Sequence, residues 1–265
     1  MLLTIDAGNT RTKWAVFSAN GEITQHGSCF NDGLPEADLS PQALCYQRVI
    51  ISNVAGTAHA NKLEQLLKPH QSPINWLKAS TQACNVINGY IEPETLGTDR
   101  WAALIAAWHM RHAPCIVVNA GTAVTVDALT QTADGKGEFL GGLILPGLNL
   151  MQASLGIATA QLPKHHAIEN FTADTMTDIF AKSTVQAIHA GALNAVSGAI
   201  IRMAAALKNK CGLAPCIILS GGNAATINND LAQTVTNQTV IVDNLVLTGL
   251  YVLDYSNKNK HHKKI

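Results

Sequence analysis

Net charge is the first thing the sequence lacks: among 265 residues, 18 Lys and Arg are met by 18 Asp and Glu, with ten His left neutral. A chain balanced in this way carries no electrostatic footprint for DNA or RNA, so nucleic acid is not an expected partner. Aromatics are scarce at 5%, yet apolar residues make up 47%, enough to build a core and to exclude disorder over most of the length. No C-x-x-C pair occurs among the six scattered cysteines, Cys29, Cys45, Cys84, Cys115, Cys211 and Cys216. Several lie in apolar runs such as Cys115-Ile-Val-Val, so they read as buried thiols of a reducing compartment rather than disulfides or a zinc site. The histidines form no H-x-x-x-H pattern, and the pair His165-His166 sits in a polar stretch where no metal site is expected. Without an apolar run of about 20 residues, and with no basic leader ahead of the first apolar run, the chain reads as soluble and cytoplasmic with no membrane partner. The basic tail Lys258, Lys260, His261, His262, Lys263, Lys264 reads as a solvated end.

What is present is a repeated local grammar. The chain opens with the apolar run Leu2-Leu3-Thr4-Ile5, a polar loop Asp6-Ala-Gly-Asn-Thr-Arg-Thr-Lys13, a second run Trp14 to Phe17, and the turn Asn20-Gly21. Asn-Gly between apolar runs signals a hairpin, which predicts strand, tight loop, strand, turn, strand. The pattern returns 113 positions later, where Cys115 to Val118 leads into Asn119-Ala-Gly-Thr-Ala-Val-Thr125 and a turn-rich Ala133 to Gly137. A period of domain length points to a duplicated unit rather than a solenoid of about 20–50-residue repeats. Between the hairpins, Ala58 to Lys68 is expected to be helical and Arg48 to Ser52 and Ile74 to Leu77 to be strands. Trp101, Leu104, Ile105 and Trp108 share one helical face, and Thr98 is the expected N-cap of their helix. Later come a long alanine-rich helix from about Met176 to Leu207, expected to break near Ala190-Gly191, a strand Cys216 to Leu219 running into Ser220-Gly-Gly-Asn223, and a helix from Leu245 to Tyr255. The fold class is therefore α/β: two duplicated domains, 1–113 and 114–265, with a ligand cleft between them.

A tight glycine-containing loop after a strand lets backbone N–H groups converge, a concavity suited to phosphate oxygens. In the first loop Thr10 and Thr12 offer hydroxyls, Lys13 a positive charge, and Asp6 a carboxylate for a hydrated metal ion. An ordinary hairpin loop would use similar residues. The second loop tips the balance, because two cradles could grip a polyphosphate, and phosphoryl transfer is catalysed mainly by positioning and charge neutralisation. Asp99 falls in the first turn of a helix, where a carboxylate is favoured for structural reasons alone and where the dipole is expected to keep it ionised.

These loops resemble the superfamily of actin, the sugar kinases and the heat-shock chaperone ATPases, with its ribonuclease H-like domains. The finer pattern is similar to type III pantothenate kinase. It rests on Asp6 to Lys13, Tyr90-Ile-Glu-Pro93, Gly97-Thr-Asp-Arg100, Asn119 to Thr125, Gly141-Gly-Leu-Ile-Leu-Pro-Gly147 and Ser220-Gly-Gly-Asn223, in family order over nearly the whole chain. The resemblance implies ATP-dependent phosphorylation of pantothenate by a homodimer, opening the route to coenzyme A. It implies Asp99 as the base, with Tyr90, Gly97, Thr98, Arg100 and Thr184 also on the substrate. Asp6, Gly8, Asn9, Thr10, Lys13, Gly121, Thr122, Gly221 and Gly222 would hold ATP, and Asp6 would hold Mg²⁺ through water. Arg100 could pair with the substrate's carboxylate or with Asp99. Gly141-Gly142 and Pro146-Gly147 would bring a strand end close to a neighbouring loop.

One position departs from the family. Where it usually has an aspartate associated with a monovalent cation such as K⁺ or NH₄⁺, this chain has Asn119, with a carbonyl oxygen but no charge. Either the cation binds more weakly, or another group such as Asp127 substitutes, or activity is lost. Two other readings stay open: a sugar kinase of the same superfamily, against which the Tyr90 to Arg100 segment argues, and a non-catalytic nucleotide-binding accessory regulator, against which Lys13 and Asp99 argue.

Overall fold

The computed structural model of the protein describes residues 1–36, 39, 44–158, 179–234 and 238–262. In chain order these form β1 (Leu2–Ala7), β2 (Arg11–Phe17), β3 (Ile23–Phe30), β4 (Arg48–Asn53), α1 (Thr57–Leu67), β5 (Ile74–Trp76), β6 (Gln82–Ala83), β7 (Val86–Asn88) and α2 (Thr98–Arg111). There follow β8 (Cys115–Ala120), β9 (Ala123–Gln131), β10 (Gly137–Pro146), α3 (Leu148–Ala158), α4 (Thr184–Cys211), β11 (Cys216–Ser220), α5 (Ala224–Thr234), β12 (Thr239–Ile241) and α6 (Leu245–His262).

Two units result, one of residues 1–112, 132–139 and 244–265, the other of residues 113–131 and 140–243. This division is not the contiguous one, 1–113 and 114–265, because residues 132–139 and 244–265 group with the first unit. The C-terminal helix joins the first unit because Gly249 on α6 lets its backbone press against the Ala102 carbonyl of α2, closer than any side chain would permit. Arg48 of β4 adds a 2.8 Å ion pair to Asp254, and Phe17 stacks on Tyr251 at 4.8 Å between ring centroids.

In the first unit the strand order is β3-β2-β1-β4-β5. Strands β1, β2 and β3 are antiparallel neighbours, while β4 pairs parallel with β1 and β5 parallel with β4. Side chains alternate across this sheet. Leu3, Ile5, Ala7, Val16, Val49 and Ile51 form one core with Leu63 and Leu67 of α1, while the other face is met by α2 and α6. In the second unit the run β10-β9-β8-β11-β12 repeats the same order, with β8 antiparallel to β9 and parallel to β11, and β12 parallel to β11. The duplication inferred from the loop spacing is thus a duplication of topology. Ile116, Val118, Val124 and Val126 build the second core against Leu193, Val196 and Ile200 of α4.

Several boundaries differ from expectation. Helix α4 begins at Thr184 with Ser183 as its N-cap and runs unbroken through Ala190-Gly191, because a single glycine amid good helix formers costs only about 1 kcal/mol. The part of the expected helix before residue 179, and His165-His166, lie outside the described residues. By length and composition α4 could cross a membrane, with a mean hydropathy of 1.4 over its most apolar window, but its buried residues belong to the second core. Helix α6 continues past Tyr255 to His262, so the start of the basic tail is helical. Thr98 is the first helical residue rather than the cap: Gly97 occupies the N-cap position and no side chain caps the helix. Trp101 and Trp108 are buried core residues, as their spacing predicts, and all six cysteines are free thiols.

Candidate active site

The first loop sits between β1 and β2, where the Gly8 amide donates to the Arg11 carbonyl at 3.1 Å. The corresponding loop of the second unit is closed by the Gly121 amide donating to the Ala123 carbonyl at 3.0 Å. The equivalence reaches into the strands. Asp6 lies opposite Lys13 on β2 and Ser52 on β4, and Asn119 lies opposite Thr125 on β9 and Ser220 on β11.

Within the first unit, strand alternation turns Asp6 and Ser52 to the sheet face that receives α2. Ser52 Oγ is 2.9 Å from Thr98 Oγ1, so the N-terminus of α2 is tied beside Asp6 and brings Asp99 with it. Asp6 Oδ1 is enclosed and has no hydrogen-bond partner. Its carboxyl is pushed up to about 7, first by burial and then by the nearby charge of Asp99, with Lys13 pulling the other way. Asp99 is itself raised. Burial outweighs the Arg100 amide, which donates to Asp99 Oδ1 at 2.8 Å, and the Arg100 guanidinium. The expectation that the helix dipole keeps Asp99 ionised meets an opposing and larger effect, desolvation, which raises its pKa. A Cβ at Gly97 would lie 2.7 Å from Asp99 Oδ1, so a side chain there would have to displace that carboxylate.

Beside Asp99, Arg100 is 4% exposed, and its Nη1 donates to Tyr90 Oη at 2.7 Å while its guanidinium lies 5.8 Å from the Phe139 ring centroid. Asn88 shapes the Tyr90 segment: its Nδ2 donates to the carbonyls of Ser80 and Pro93, and its Oδ1 accepts from the Tyr90 amide. The first unit thus brings together Asp6, Lys13, Tyr90, Gly97, Thr98, Asp99 and Arg100, along with Gly8, Asn9 and Thr10. Thr12, expected to offer a hydroxyl to phosphate, is fully buried instead and bonds Asn31 and His59. Asn31, Ser52, His59 and Asn88 carried no motif signal; only strand register and packing reveal them.

In the second unit Gly221, at φ +100°, approaches the Ala120 carbonyl so closely that a Cβ there would stand 2.5 Å from it. The Asn223 amide donates to the same carbonyl at 3.1 Å. Gly147 packs its Cα on the carbonyls of Gly121 and Thr122, and its amide donates to Thr122 at 2.9 Å, so the Pro146-Gly147 strand end does reach the second loop. The loop residues Gly121, Thr122, Gly221 and Gly222 therefore cluster within this unit. Asn119 Nδ2 and Thr125 Oγ1 are both enclosed without a hydrogen-bond partner. Asp127 is fully buried on the same sheet face, two residues beyond Thr125. Thr184 also lies in this unit, exposed at the first position of α4.

A twice-repeated five-stranded unit with a glycine loop after its first strand is the actin-like α/β fold. Solved structures share it. A candidate Baf family transcriptional activator from Campylobacter jejuni has a TM-score of 0.64 at 20% identity, covering 97% of this chain and 99% of that one. A candidate 2-dehydro-3-deoxygalactonokinase from Sinorhizobium meliloti has a TM-score of 0.59 at 14% identity, covering 97% and 99%. Sequence narrows the class. The type III pantothenate kinase family matches residues 2–206. A type III pantothenate kinase from Methylobacillus flagellatus is 44% identical over 255 residues, 96% of this chain and 97% of the relative. Another from Nitrosospira multiformis is 40% identical over 253 residues, 96% and 90%. The chain belongs to the type III pantothenate kinase family.

Proposed function

We propose that the protein transfers the γ-phosphoryl group of ATP to the primary hydroxyl of pantothenate, giving 4'-phosphopantothenate and ADP at the start of coenzyme A biosynthesis. The observation that carries this reading is Asp99, a half-buried carboxylate with a raised pKa at the start of α2, flanked by Asp6 on one side and by the Arg100–Tyr90 pair on the other. A base whose pKa is lifted toward the working pH takes a proton more effectively than an ordinary surface carboxylate. Asp99 accepts the hydroxyl proton as the substrate oxygen bonds to the γ-phosphorus and the bond from that phosphorus to the β,γ-bridging oxygen breaks. Lys13 and the amides of the first loop neutralise charge on the phosphates, and Gly121, Thr122, Gly221 and Gly222 hold the remainder of the nucleotide. Tyr90, Gly97, Thr98, Arg100 and Thr184 bind pantothenate, with the Arg100 guanidinium suited to its carboxylate.

The enclosed, unpartnered Oδ1 of Asp6 fits a divalent cation, Mg²⁺ held through water, because such an ion would offset the mutual repulsion of Asp6 and Asp99. When bound, it supplies charge neutralisation at the β- and γ-phosphate oxygens. The monovalent cation fits less well: at Asn119 the enclosed unpartnered atom is a donor, Nδ2, which seeks an acceptor rather than a cation. No step is assigned to that ion. The protein is further read as a cytoplasmic homodimer.

The test is ADP release from purified protein with ATP, Mg²⁺ and pantothenate, beside Asp99→Asn. Pantothenate-dependent turnover that the variant loses supports the assignment of both reaction and base. A wild type that binds ATP but phosphorylates nothing would sink it in favour of a nucleotide-binding regulator.

A further inference from the structure

We propose that Asn31, which opens a 3-10 turn after β3, is the positioning residue of the first phosphate loop, holding its amides in the orientation that receives ATP. The inference rests on the kinase reading for its ligand and on four hydrogen bonds for its geometry. Asn31 Nδ2 donates to the Gly8 carbonyl at 2.9 Å and to the Asn9 carbonyl at 3.0 Å, and the Asn31 amide donates to the Thr10 carbonyl at 3.1 Å. Three consecutive carbonyls of the loop are thus gathered on one residue, just past the end of a strand two places along the sheet. In a planar trans peptide the C=O of one residue and the N–H of the next point in opposite directions. Gathering the carbonyls of Gly8 and Asn9 therefore turns the amides of Asn9 and Thr10 away from Asn31, to the outer side of the loop, the arrangement of an anion-binding nest.

The fourth bond fixes which way the Asn31 amide faces. Thr12 Oγ1 donates to Asn31 Oδ1 at 2.9 Å, since that oxygen can only accept. With its one proton used there, Thr12 Oγ1 must accept from His59 Nε2, 2.8 Å away on the first turn of α1. Thr12 and His59 are both buried, and desolvation together with Lys62 pushes the His59 pKa down, so the ring is the neutral tautomer with its proton on Nε2. A one-way chain of donors runs from His59 through Thr12 to Asn31 and ends on the loop carbonyls. Were the Asn31 amide reversed, it would set its oxygen against two carbonyl oxygens and its nitrogen against a hydroxyl proton. The chain touches only the loop, so its effect falls on ATP and not on the acceptor substrate.

The experiment compares wild type, Asn31→Ala and Asn31→Asp by steady-state kinetics in each substrate, by titration with a non-hydrolysable ATP analogue, and by thermal unfolding. Losing two carbonyl-directed bonds should raise the KM for ATP and the Kd of the analogue about tenfold in Asn31→Ala. The KM for pantothenate should stay within about twofold. Asn31→Asp keeps the size and the acceptor for Thr12 but cannot donate and adds a negative charge, so its loss of ATP affinity should be the larger. An unchanged ATP KM and analogue Kd in both variants would overturn the proposal. So would a parallel rise of both KM values with a lowered Tm, the mark of a merely structural residue. If wild type proves unable to phosphorylate pantothenate, the kinase reading fails while the analogue titration still decides the role of Asn31.

Discussion

Ser52 Oγ lies 2.9 Å from Thr98 Oγ1, and this one hydrogen bond joins the strand beside Asp6 to the helix that carries Asp99. Ser52 is fully buried and Thr98 half-buried, so Ser52→Ala removes this hydrogen bond at a cost of about 0.5–1.5 kcal/mol. The helix N-terminus has no side-chain cap to replace the lost anchor. Small displacements of a catalytic group are expensive in rate, and a drop in kcat of about tenfold to a hundredfold is expected, with the KM for ATP little altered. Steady-state kinetics in ATP and pantothenate separate this from a general loss of folded protein. A variant with full kcat would show that Asp99 is positioned by its own backbone alone.

Asp6 gives a dependence on pH. Its carboxyl is raised to about 7 by burial and by Asp99, well above a carboxylate in an unfolded chain. Between the ordinary carboxylate range and about pH 7 the folded protein holds a proton that the unfolded chain has released, so stability falls as pH rises through that window. Above it, the charge buried next to Asp99 costs on the order of a few kcal/mol. Asp6→Asn keeps the shape and removes the charge. Its Tm should exceed that of the wild type at pH 8 and match it near pH 4, while its turnover collapses. In wild type, kcat/KM should rise with pH through about 7 as Asp6 ionises in the free enzyme. A Tm lower than wild type at pH 8 would show that Asp6 is not destabilised in the fold.

Much of this arrangement could be read from the residues. The hairpins around Asp6 and Asn119, the repeat between them and the helix carrying Trp101 and Trp108 all follow from local signals: glycine loops, Asn-Gly turns and apolar spacing. What could not be read depends on register and tertiary burial. Thr12 looked like a phosphate ligand because its loop neighbours are polar, yet strand alternation turns it inward toward His59. The charge of Asp99 was judged from its helix position, a local property, whereas desolvation by the surrounding fold decides it. Helix α6 grouped with the wrong half on sequence order, since nothing local announces that Gly249 would seat it on Ala102.

That contact has its own consequence. Gly→Ala inside a helix ordinarily stabilises by about 1 kcal/mol, because alanine loses less backbone freedom. At Gly249 the added Cβ would overlap the Ala102 carbonyl of α2, a backbone atom that cannot swing aside. Overpacking of this kind typically costs about 1–3 kcal/mol and reverses the usual sign. Gly249→Ala should therefore lower the Tm by several degrees, whereas Gly191→Ala on α4, where an added Cβ meets nothing, should hold or raise it. Denaturant unfolding of the two variants in parallel checks the contrast, and equal stabilities would show that α6 rides on α2 with room to spare.

Asn119 decides how this chain uses salts. Its Nδ2 is enclosed without a partner, opposite Thr125, whose hydroxyl is likewise unpartnered, and Asp127 lies further along the same face. A neutral donor there creates no demand for a cation, so turnover by wild type should be the same in K⁺ and Na⁺ at equal ionic strength. Asn119→Asp replaces the donor by an acceptor-only carboxylate in an enclosed setting, where low dielectric penalises an unpaired charge. A monovalent cation would relieve that penalty. The variant should thus lose about tenfold or more in kcat/KM without K⁺ and recover when K⁺ is added, an effect of roughly 1.4 kcal/mol. Turnover measured across a K⁺ titration at fixed ionic strength makes the comparison. A wild type that itself needs K⁺ would mean that the Asn119 carbonyl and Thr125 hydroxyl hold the ion without a charge, and that the unpartnered nitrogen turns away from it.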